Sequence, residues 1–221
     1  MIEEFKKKLK MQLENGLPGD LAHCIMMPTA RDKNMILPTF HTPPVKSAVL
    51  ILFYQHEQGH LEFPLIQRPA YNGAHSAQIG FPGGKAEPGD LNTDDTALRE
   101  AKEEIGIDPA QVEVVGHLSD LIIAVSNFVV TPVIGFMAHK PRFIPDPGEV
   151  DEIIQAKLTD IVDPALRREG AVVVRGKYNL QTPYFHIDNR VVWGATAMML
   201  SELSILVEKS GLFASTYNYN K

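Results

Sequence analysis

Residues 81–107 read FPGGKAEPGDLNTDDTALREAKEEIGI, a glycine-rich stretch that is followed by a helix pattern. Asn92 or Thr93 can cap the start of this helix and Gly106 can end it, so the pattern predicts a helix over residues 93–105. The upstream glycines suit a backbone that turns sharply and approaches a ligand closely. Loop and helix together predict a single phosphate- and metal-binding site.

Three glutamates of the predicted helix share one side of it. Glu100, Glu103 and Glu104 are spaced i, i+3, i+4 and span roughly 100° of arc. An apolar stripe lies on a different side and consists of Leu98, Ala101 and Ile105. Like charges at this spacing repel one another, and a divalent cation among them would reverse the sign of the interaction. Oxygen ligands without a nearby Cys or His cluster suit Mg²⁺ or Mn²⁺. The alternative interpretation of the three glutamates is an acidic helix face that is simply exposed to solvent.

This combination resembles the Nudix box. The usual form of the box is Gly, five residues, Glu, seven residues and then Arg-Glu-apolar-any-Glu-Glu-any-Gly-apolar. Here the sequence reads Gly84, five residues, Asp90, eight residues and then residues 99–107. Asp90 stands where the pattern has Glu, and the spacer to Arg99 is one residue longer. Both departures lie outside the metal-binding half of the box.

The resemblance implies a metal-dependent hydrolase of the Nudix-type α/β/α sandwich fold, which cuts a diphosphate joined to another moiety. The residues it assigns to the metal are Glu100, Glu103, Glu104 and, through its carbonyl, Gly84. Arg99 matches the arginine that orients the helix carboxylates, and its i+4 relation to Glu103 allows an ion pair. An exposed surface charge is the alternative interpretation of Arg99.

Glu149 is the further carboxylate that the resemblance points to. It follows Asp146-Pro147-Gly148 in a loop, where Nudix enzymes often place a group that binds metal or activates water. Glu152 competes for this role, and simple solvent exposure is the alternative for Glu149. The predicted mechanism is attack of water on one phosphorus, with Glu100 or Glu149 accepting the proton.

The segment before the box resembles that of coenzyme A diphosphatases. It consists of Leu65-Ile66-Gln67-Arg68, His75, Gln78 and Phe81-Pro82-Gly83-Gly84. The chain has Asn72-Gly73 where that subfamily usually shows Leu-Arg, and Ala77 where it often has Gly. The resemblance runs from about residue 47 to residue 206 and implies coenzyme A or an acyl derivative as substrate. The implied products are 4′-phosphopantetheine and adenosine 3′,5′-bisphosphate, and ADP-sugars or dinucleotides are the alternative substrates.

The residues predicted to contact the substrate are Arg68, His75, Gly83, Gly84 and Lys85. Arg68 can grip phosphate oxygens in bidentate fashion, or it can form a salt bridge at the end of a strand. His75 can bind phosphate or merely cap a turn. Both residues therefore keep two interpretations.

The composition is that of an ordinary globular protein. The chain has 221 residues and a formal net charge of −6, and hydrophobic residues make up 44% of it. This length favours one domain with appendages, and the acidic balance argues against a general nucleic-acid binder. The single cysteine, Cys24, cannot form an intramolecular disulfide, and no apolar run approaches the roughly 18 residues of a membrane span. We therefore expect a cytoplasmic protein with a small-molecule partner.

The remaining patterns predict an α+β fold with a mixed sheet and helices on its faces. Ile2, Phe5, Leu9 and Leu13 recur at helical spacing, and residues 191–207 predict a C-terminal helix. The predicted strands cover residues 48–54 and 61–67 as a hairpin, then 111–118, 121–125, 128–137, 150–156, 171–175 and 184–187. The prolines of residues 18–46 predict a wrapping segment without regular structure. The predicted organisation is residues 1–45 for helix and wrapping segment, 46–212 for the hydrolase domain and 213–221 for a tail.

Two functions of other classes are alternatives to hydrolysis. A nucleotide sensor on the same fold, which binds without hydrolysis, would be indicated by the loss of one or more of the helix glutamates. All three are present in this chain. A scaffold or interaction module would use the amphipathic N-terminal helix as its binding element. The intact box argues against this as the main role, although the helix could support a homodimer.

Overall fold

The structure is a computed structural model that describes residues 1–28, 43–69, 78–124, 126–174 and 178–213. In chain order, its helices and strands are α1 (Ile2–Glu14), α2 (Asp20–Ile25), β1 (Val45–Gln55), β2 (Leu61–Gln67), β3 (Ile79–Gly80), β4 (Gly83–Lys85), α3 (Thr93–Ile105), β5 (Glu113–His117), β6 (Leu121–Ile123), β7 (Phe128–Phe136), β8 (Glu152–Lys157), α4 (Leu158–Val162), β9 (Arg167–Val174), β10 (Tyr178–Ile187), β11 (Arg190–Trp193) and α5 (Gly194–Lys209). No helix within these ranges has the length and apolarity that a membrane crossing needs.

Strand β1 is the axis of a mixed sheet of eight strands among the described residues. It pairs in parallel with β7 along its length, from Val45 opposite Phe128 to Phe53 opposite Phe136. It pairs in antiparallel fashion with β4 at one end and with β2 at the other. Strands β9, β10 and β11 form a second, antiparallel sheet. The mixed sheet with helices confirms the predicted α+β class.

The two faces of β1 enter two different apolar clusters, because successive side chains of a strand point to opposite faces. Leu50 and Leu52 pack with Ala101 of α3 on one face. Ile51 and Phe53 belong to the cluster on the other face, to which α1 and α5 also contribute. Burial of each such large side chain stabilises the fold by about 1.5–3 kcal/mol. The sheet therefore lies between helices, as the α/β/α prediction requires.

The amphipathic pattern predicted helix α1, and the structure shows that this helix docks through aromatic contacts. Phe5 is fully buried, and its ring meets Phe53 at a centroid distance of 5.1 Å and Phe136 at 5.7 Å, both edge-on. Edge-on aromatic pairs are worth about 0.5–1.5 kcal/mol beyond their buried area. The division of the chain at residues 45 and 212 stays a prediction.

A buried polar network joins α2 to α5. Glu202 of α5 is fully buried, and it accepts hydrogen bonds from the Gly19 N–H at 3.1 Å and from the Ser119 hydroxyl at 2.6 Å. His23 Nε2 of α2 lies 3.0 Å from the same carboxylate. Burial acts to raise the pKa of Glu202, but the bonds from His23, Ser119 and Gly19 outweigh burial and hold that pKa below its ordinary value. The carboxylate thus ties the N-terminal segment to the C-terminal helix.

The predicted bounds of several elements were wrong. Residues 191–193 are not helical but belong to β11, where Val192 pairs with Phe185, and the helix begins only at Gly194. Val191 and Val192 are β-branched and suit a strand, and Gly194 adopts a left-handed φ of 65° at the change of direction. Helix α2 interrupts the stretch predicted to lack regular structure, of which residues 29–42 lie outside the described residues. The predicted strand at residue 150 begins only at Glu152, whereas those predicted to begin at residues 171 and 184 begin earlier, at Arg167 and Tyr178.

Candidate active site

Local sequence signals set the ends of α3. The Asn92 side chain accepts the Asp95 N–H at 2.9 Å, and Gly106 ends the helix in the left-handed conformation with φ of 71°. These two residues confirm the predicted cap and stop. A Cβ at Gly106 would lie 2.8 Å from the Ile144 Cβ, so the helix end also needs glycine for space. Helix α3 therefore has a fixed length and a fixed position over β1.

Two of the predicted helix glutamates meet a carboxylate from a distant loop. Glu100, Glu104 and Glu149 each offer a ligand oxygen, and these atoms lie within 4.8 Å of one another. The loop reaches the helix because the Ile144 N–H donates to the Ile105 carbonyl at 2.9 Å and the Asp146 N–H donates to the Glu104 carbonyl at 3.0 Å. The structure thus brings Glu149 to the helix glutamates. Glu152 instead forms an ion pair with Arg190.

The donor set of this cluster fits a hard divalent cation. Glu104 is fully buried, and its Oε2 accepts the Gly83 N–H at 2.7 Å. Its Oε1 is also buried and makes no hydrogen bond with any described residue, although Arg68 Nη2 lies 2.9 Å away. Carboxylate oxygens are the ligands that Mg²⁺ and Mn²⁺ prefer, and Glu104 Oε1 is available to bind such an ion.

Glu103 lies apart from this cluster. Its side chain is 57% exposed, and its Oε2 lies 3.3 Å from Arg99 Nη1. The i, i+3, i+4 spacing brings the three helix glutamates to one side of α3, but only Glu100 and Glu104 come within reach of Glu149. A metal contact by Glu103 stays a prediction.

Strand β4 can approach the helix only because it contains two adjacent glycines. Gly83 has a left-handed φ of 153°, and a Cβ there would lie 2.3 Å from the Ala48 carbonyl oxygen of β1. A Cβ at Gly84 would lie 2.4 Å from the Glu100 carboxylate. The backbone of β4 therefore borders the carboxylate cluster directly. A metal contact by the Gly84 carbonyl stays a prediction.

Gly84→Ala is expected to lower kcat about a hundredfold, because the new methyl group must displace the Glu100 carboxylate from the cluster. The free energy of unfolding should change by no more than about 2 kcal/mol, since a carboxylate end can move. Gly89→Ala is the matched control, because a Cβ at Gly89 meets nothing within 4 Å. Steady-state kinetics of both variants check the prediction, and equal activities would contradict it.

Arg99 connects the loop to the helix. Its Nε and Nη2 donate to the two carboxylate oxygens of Asp90 at 3.0 and 3.1 Å, and its Nη1 donates to Glu100 at 2.9 Å. Its Nη2 also donates to the Lys85 carbonyl at 2.8 Å. The bond from Arg99 holds the pKa of Asp90 well below its usual range, and Asp90 in turn raises the pKa of Arg99. Arg99 therefore holds the Glu100 carboxylate by a hydrogen bond, and its role in orienting the carboxylates for a metal stays a prediction.

Asp90, which departs from the usual pattern of the box, has a role that was not predicted. Besides Arg99, Asp90 accepts bonds from the Thr96 hydroxyl at 2.8 Å and from the Glu87 N–H at 2.9 Å. Its position in the pattern was the available signal. The shorter acid is therefore fully engaged in holding the loop against the helix.

The residues predicted to contact the substrate have different surroundings. Arg68 Nη2 donates to the Gly83 carbonyl at 2.7 Å and pairs with Glu104, so the salt-bridge alternative is present at the end of β2. The Lys85 ammonium lies 5.7 Å from the centroid of the Phe128 ring. His75 lies outside the described residues. Phosphate contacts by Arg68 and Lys85 stay predictions.

Burial and crowding of like charges shift the acidities in the cluster. Burial raises the pKa of Glu104 to about 7, and the charges of Glu100 and Glu149 act in the same direction. Arg68 and the Gly83 N–H oppose this shift. Burial also raises the pKa of Glu100, against the opposing effect of Arg99. Both carboxyls would ionise more readily beside a cation.

Metal-free protein is expected to lose stability as the pH rises from about 4.5 to about 7. Over this window the unfolded chain releases the Glu104 proton while the folded protein retains it, so the free energy of unfolding falls, by about 2–3 kcal/mol in total. Saturating Mg²⁺ should flatten this slope because the cation stabilises the ionised carboxyl. Urea unfolding across the pH range, with and without Mg²⁺, measures the effect. An undiminished slope in metal-free Glu104→Gln would contradict it.

Residues 44–174 match the NUDIX domain family. A protein named Nudix hydrolase 15, mitochondrial, from Arabidopsis thaliana is 34% identical over 176 residues, which cover 77% of this chain and 61% of that protein. Uncharacterized Nudix hydrolase NudL from Pectobacterium atrosepticum is 37% identical over 144 residues, which cover 65% of this chain and 73% of that protein.

Peroxisomal coenzyme A diphosphatase NUDT7 from Mus musculus is 34% identical over 135 residues, which cover 59% of this chain and 55% of that protein. The chain thus spans less than two thirds of the length of the Arabidopsis and mouse relatives. The family match extends over more than half of the chain and includes β4, α3 and the loop that carries Glu149. The chain therefore belongs to the Nudix hydrolase family.

Proposed function

We propose that this protein hydrolyses the phosphoanhydride bond of a nucleoside diphosphate that is linked to another moiety. The observation that carries the proposal is the cluster of Glu100, Glu104 and Glu149 beside the glycines of β4. These three carboxylates would hold Mg²⁺ or Mn²⁺, with Glu103 and the Gly84 carbonyl as further ligands. When bound, the cations would neutralise diphosphate oxygens and acidify the attacking water.

The residues of the cluster have separable tasks in this proposal. Glu104 is fixed on both sides, by the Gly83 N–H and by Arg68, which suits a permanent ligand. Glu100 is oriented by Arg99, whereas Glu149 is solvent-exposed and makes no side-chain hydrogen bond with any described residue. Glu100 and Glu149 are both candidates to accept the proton of water. We favour Glu149, because an unpaired carboxylate at the solvent side can turn toward the incoming water.

Coenzyme A or an acyl derivative is the proposed substrate. The segment from Leu65 to Gly84 resembles that of coenzyme A diphosphatases, and the mouse relative carries that activity in its name. The products would be 4′-phosphopantetheine and adenosine 3′,5′-bisphosphate. ADP-sugars and dinucleotides are the second candidates, since the carboxylate cluster does not depend on the group beyond the diphosphate.

The substrate proposal is tested by incubating the protein with coenzyme A, ADP-ribose or NADH in the presence of Mg²⁺ or Mn²⁺. Mass spectrometry of the products identifies the bond that breaks. Metal-dependent release of 4′-phosphopantetheine, with slower turnover of the other two compounds, is expected. Faster cleavage of ADP-ribose or NADH would overturn the substrate but keep the reaction. Binding of all three compounds without turnover would favour a nucleotide sensor instead.

Further properties stay predictions. The net charge of −6 is unfavourable to nucleic-acid binding, so a small-molecule partner is proposed. A homodimer and a cytoplasmic location are also proposed. The relatives named above include proteins called mitochondrial and peroxisomal, and a localisation experiment with the tagged chain in its own cell decides this point.

A further inference from the structure

A second group of side chains with metal-binding chemistry lies at the turn between β1 and β2. His56, His60 and Glu62 each offer a ligand atom, and these atoms lie within 4.8 Å of one another. This turn lies at the opposite end of β1 from Ala48, the residue that pairs with Gly84. At about 3.3 Å per residue, the two places are roughly 25 Å apart along the strand. The group is therefore separate from the carboxylate cluster.

The hairpin itself places the three side chains together. The ladder sets Tyr54 opposite Glu62 and Gln55 opposite Leu61, and the next step sets His56 opposite His60, whose carbonyl accepts the His56 N–H at 2.8 Å. His60 directly precedes β2 and lies two positions before Glu62, so the extended chain places both side chains on one face of the sheet. The turn closes through Gly59, and the two imidazole rings stack with centroids 4.5 Å apart.

Glu62 is a buried carboxylate whose charge is incompletely compensated. The residue is 5% exposed, and its Oε1 lies 2.8 Å from His60 Nε2. Its Oε2 is buried and makes no hydrogen bond with any described residue. Among the described residues, the Lys140 ammonium lies 3.6 Å from Oε2, on a side chain that is 32% exposed. A buried carboxylate in this state gains from a cation that binds it directly.

We propose that His56, His60 and Glu62 bind a divalent transition metal of the zinc class. Two imidazoles and one carboxylate are a donor set that suits Zn²⁺, Co²⁺ or Ni²⁺, whereas Mg²⁺ and Mn²⁺ prefer sites built of oxygen alone. Three protein ligands leave one position of a tetrahedral ion open to water. His56 Nδ1 accepts the Gln58 N–H at 3.1 Å, so Nε2 is the ring nitrogen that remains to bind the ion.

The direct test is a titration of the tag-free protein with Zn²⁺ by calorimetry, in an excess of Mg²⁺ that occupies the carboxylate cluster. We expect one equivalent of Zn²⁺ to bind under these conditions. His56→Gln and His60→Gln should each weaken this binding at least about tenfold. Both side chains are only partly buried, so the two variants should fold. His139→Gln is the matched control, because His139 is exposed and lies outside the group.

Two further readouts separate metal binding from a purely structural cluster. Lys140→Gln should strengthen Zn²⁺ binding several-fold, because it removes a cation that competes for Glu62. Zn²⁺ in the presence of excess Mg²⁺ should raise Tm of the wild type but not of His60→Gln, since a ligand of the native state stabilises it. Absence of a Zn²⁺ equivalent in excess Mg²⁺, or unchanged binding in both histidine variants, would overturn the proposal.

Discussion

Glu104→Gln is expected to lower kcat by about a thousandfold or more while it changes the free energy of unfolding by less than about 2 kcal/mol. The amide keeps the size of the side chain and can still accept the Gly83 N–H. It removes the negative charge of a carboxylate whose Oε1 has no hydrogen bond among the described residues. In the proposed site this charge binds the cation, whereas among the described residues it pairs only with Arg68, so its loss should fall mainly on turnover.

The measurement is kcat at saturating Mg²⁺, together with urea unfolding of the same preparation. Glu113→Gln is the matched control, because it makes the same chemical change at an exposed residue of β5 that pairs with Lys6. It should retain the activity of the wild type. Full activity of Glu104→Gln at saturating Mg²⁺ would remove Glu104 from the proposed metal ligands.

Glu202→Gln should have the opposite profile, with a loss of about 3 kcal/mol in the free energy of unfolding and little change in turnover. The Glu202 carboxylate accepts bonds from the backbone of Gly19, from His23 and from Ser119. An amide turns one acceptor into a donor that faces other donors, and these groups then stay buried without a partner. Helix α2 should loosen from α5 as a result.

Denaturant unfolding and kcat, measured under conditions where the variant remains folded, check this prediction. Glu169→Gln makes the same change at an exposed position of β9 and should be as stable as the wild type. A Glu202→Gln protein within about 1 kcal/mol of the wild type would show that the network is not needed to hold the two helices together.

The correct predictions of the fold rest on sequence patterns that span only a few residues. The β1–β2 hairpin and the bounds of α3 follow from signals a few residues apart, such as the Asn92 cap and the Gly106 stop. The end of the chain shows where such patterns fail. Apolar residues over 191–193 fit a helix as well as a strand, and only pairing with Phe185 and its neighbours on β10 decides between them.

The candidate site was predictable to the extent that it lies within one motif. Glu100, Glu104 and Arg99 come from the motif and lie close together, and Glu149 joins the two glutamates in space. The approach of Glu149 depends on backbone bonds from the loop to the end of α3, which no local pattern contains. For the same reason, the pairing of Arg68 with Glu104 was only one of two alternatives, and the partners of Asp90 were missed.

The aromatic contacts of α1 also bear on how the protein is made. Phe5 docks on Phe53 and Phe136, yet a ribosome releases α1 long before β7, because synthesis proceeds from the N-terminus. Strand β1 can pair early with β2 and β4, but its parallel pairing along most of its length also needs β7. The apolar face of α1 therefore stays incompletely covered on the nascent chain until β7 emerges, and a chaperone that shields this helix should increase the yield of folded protein.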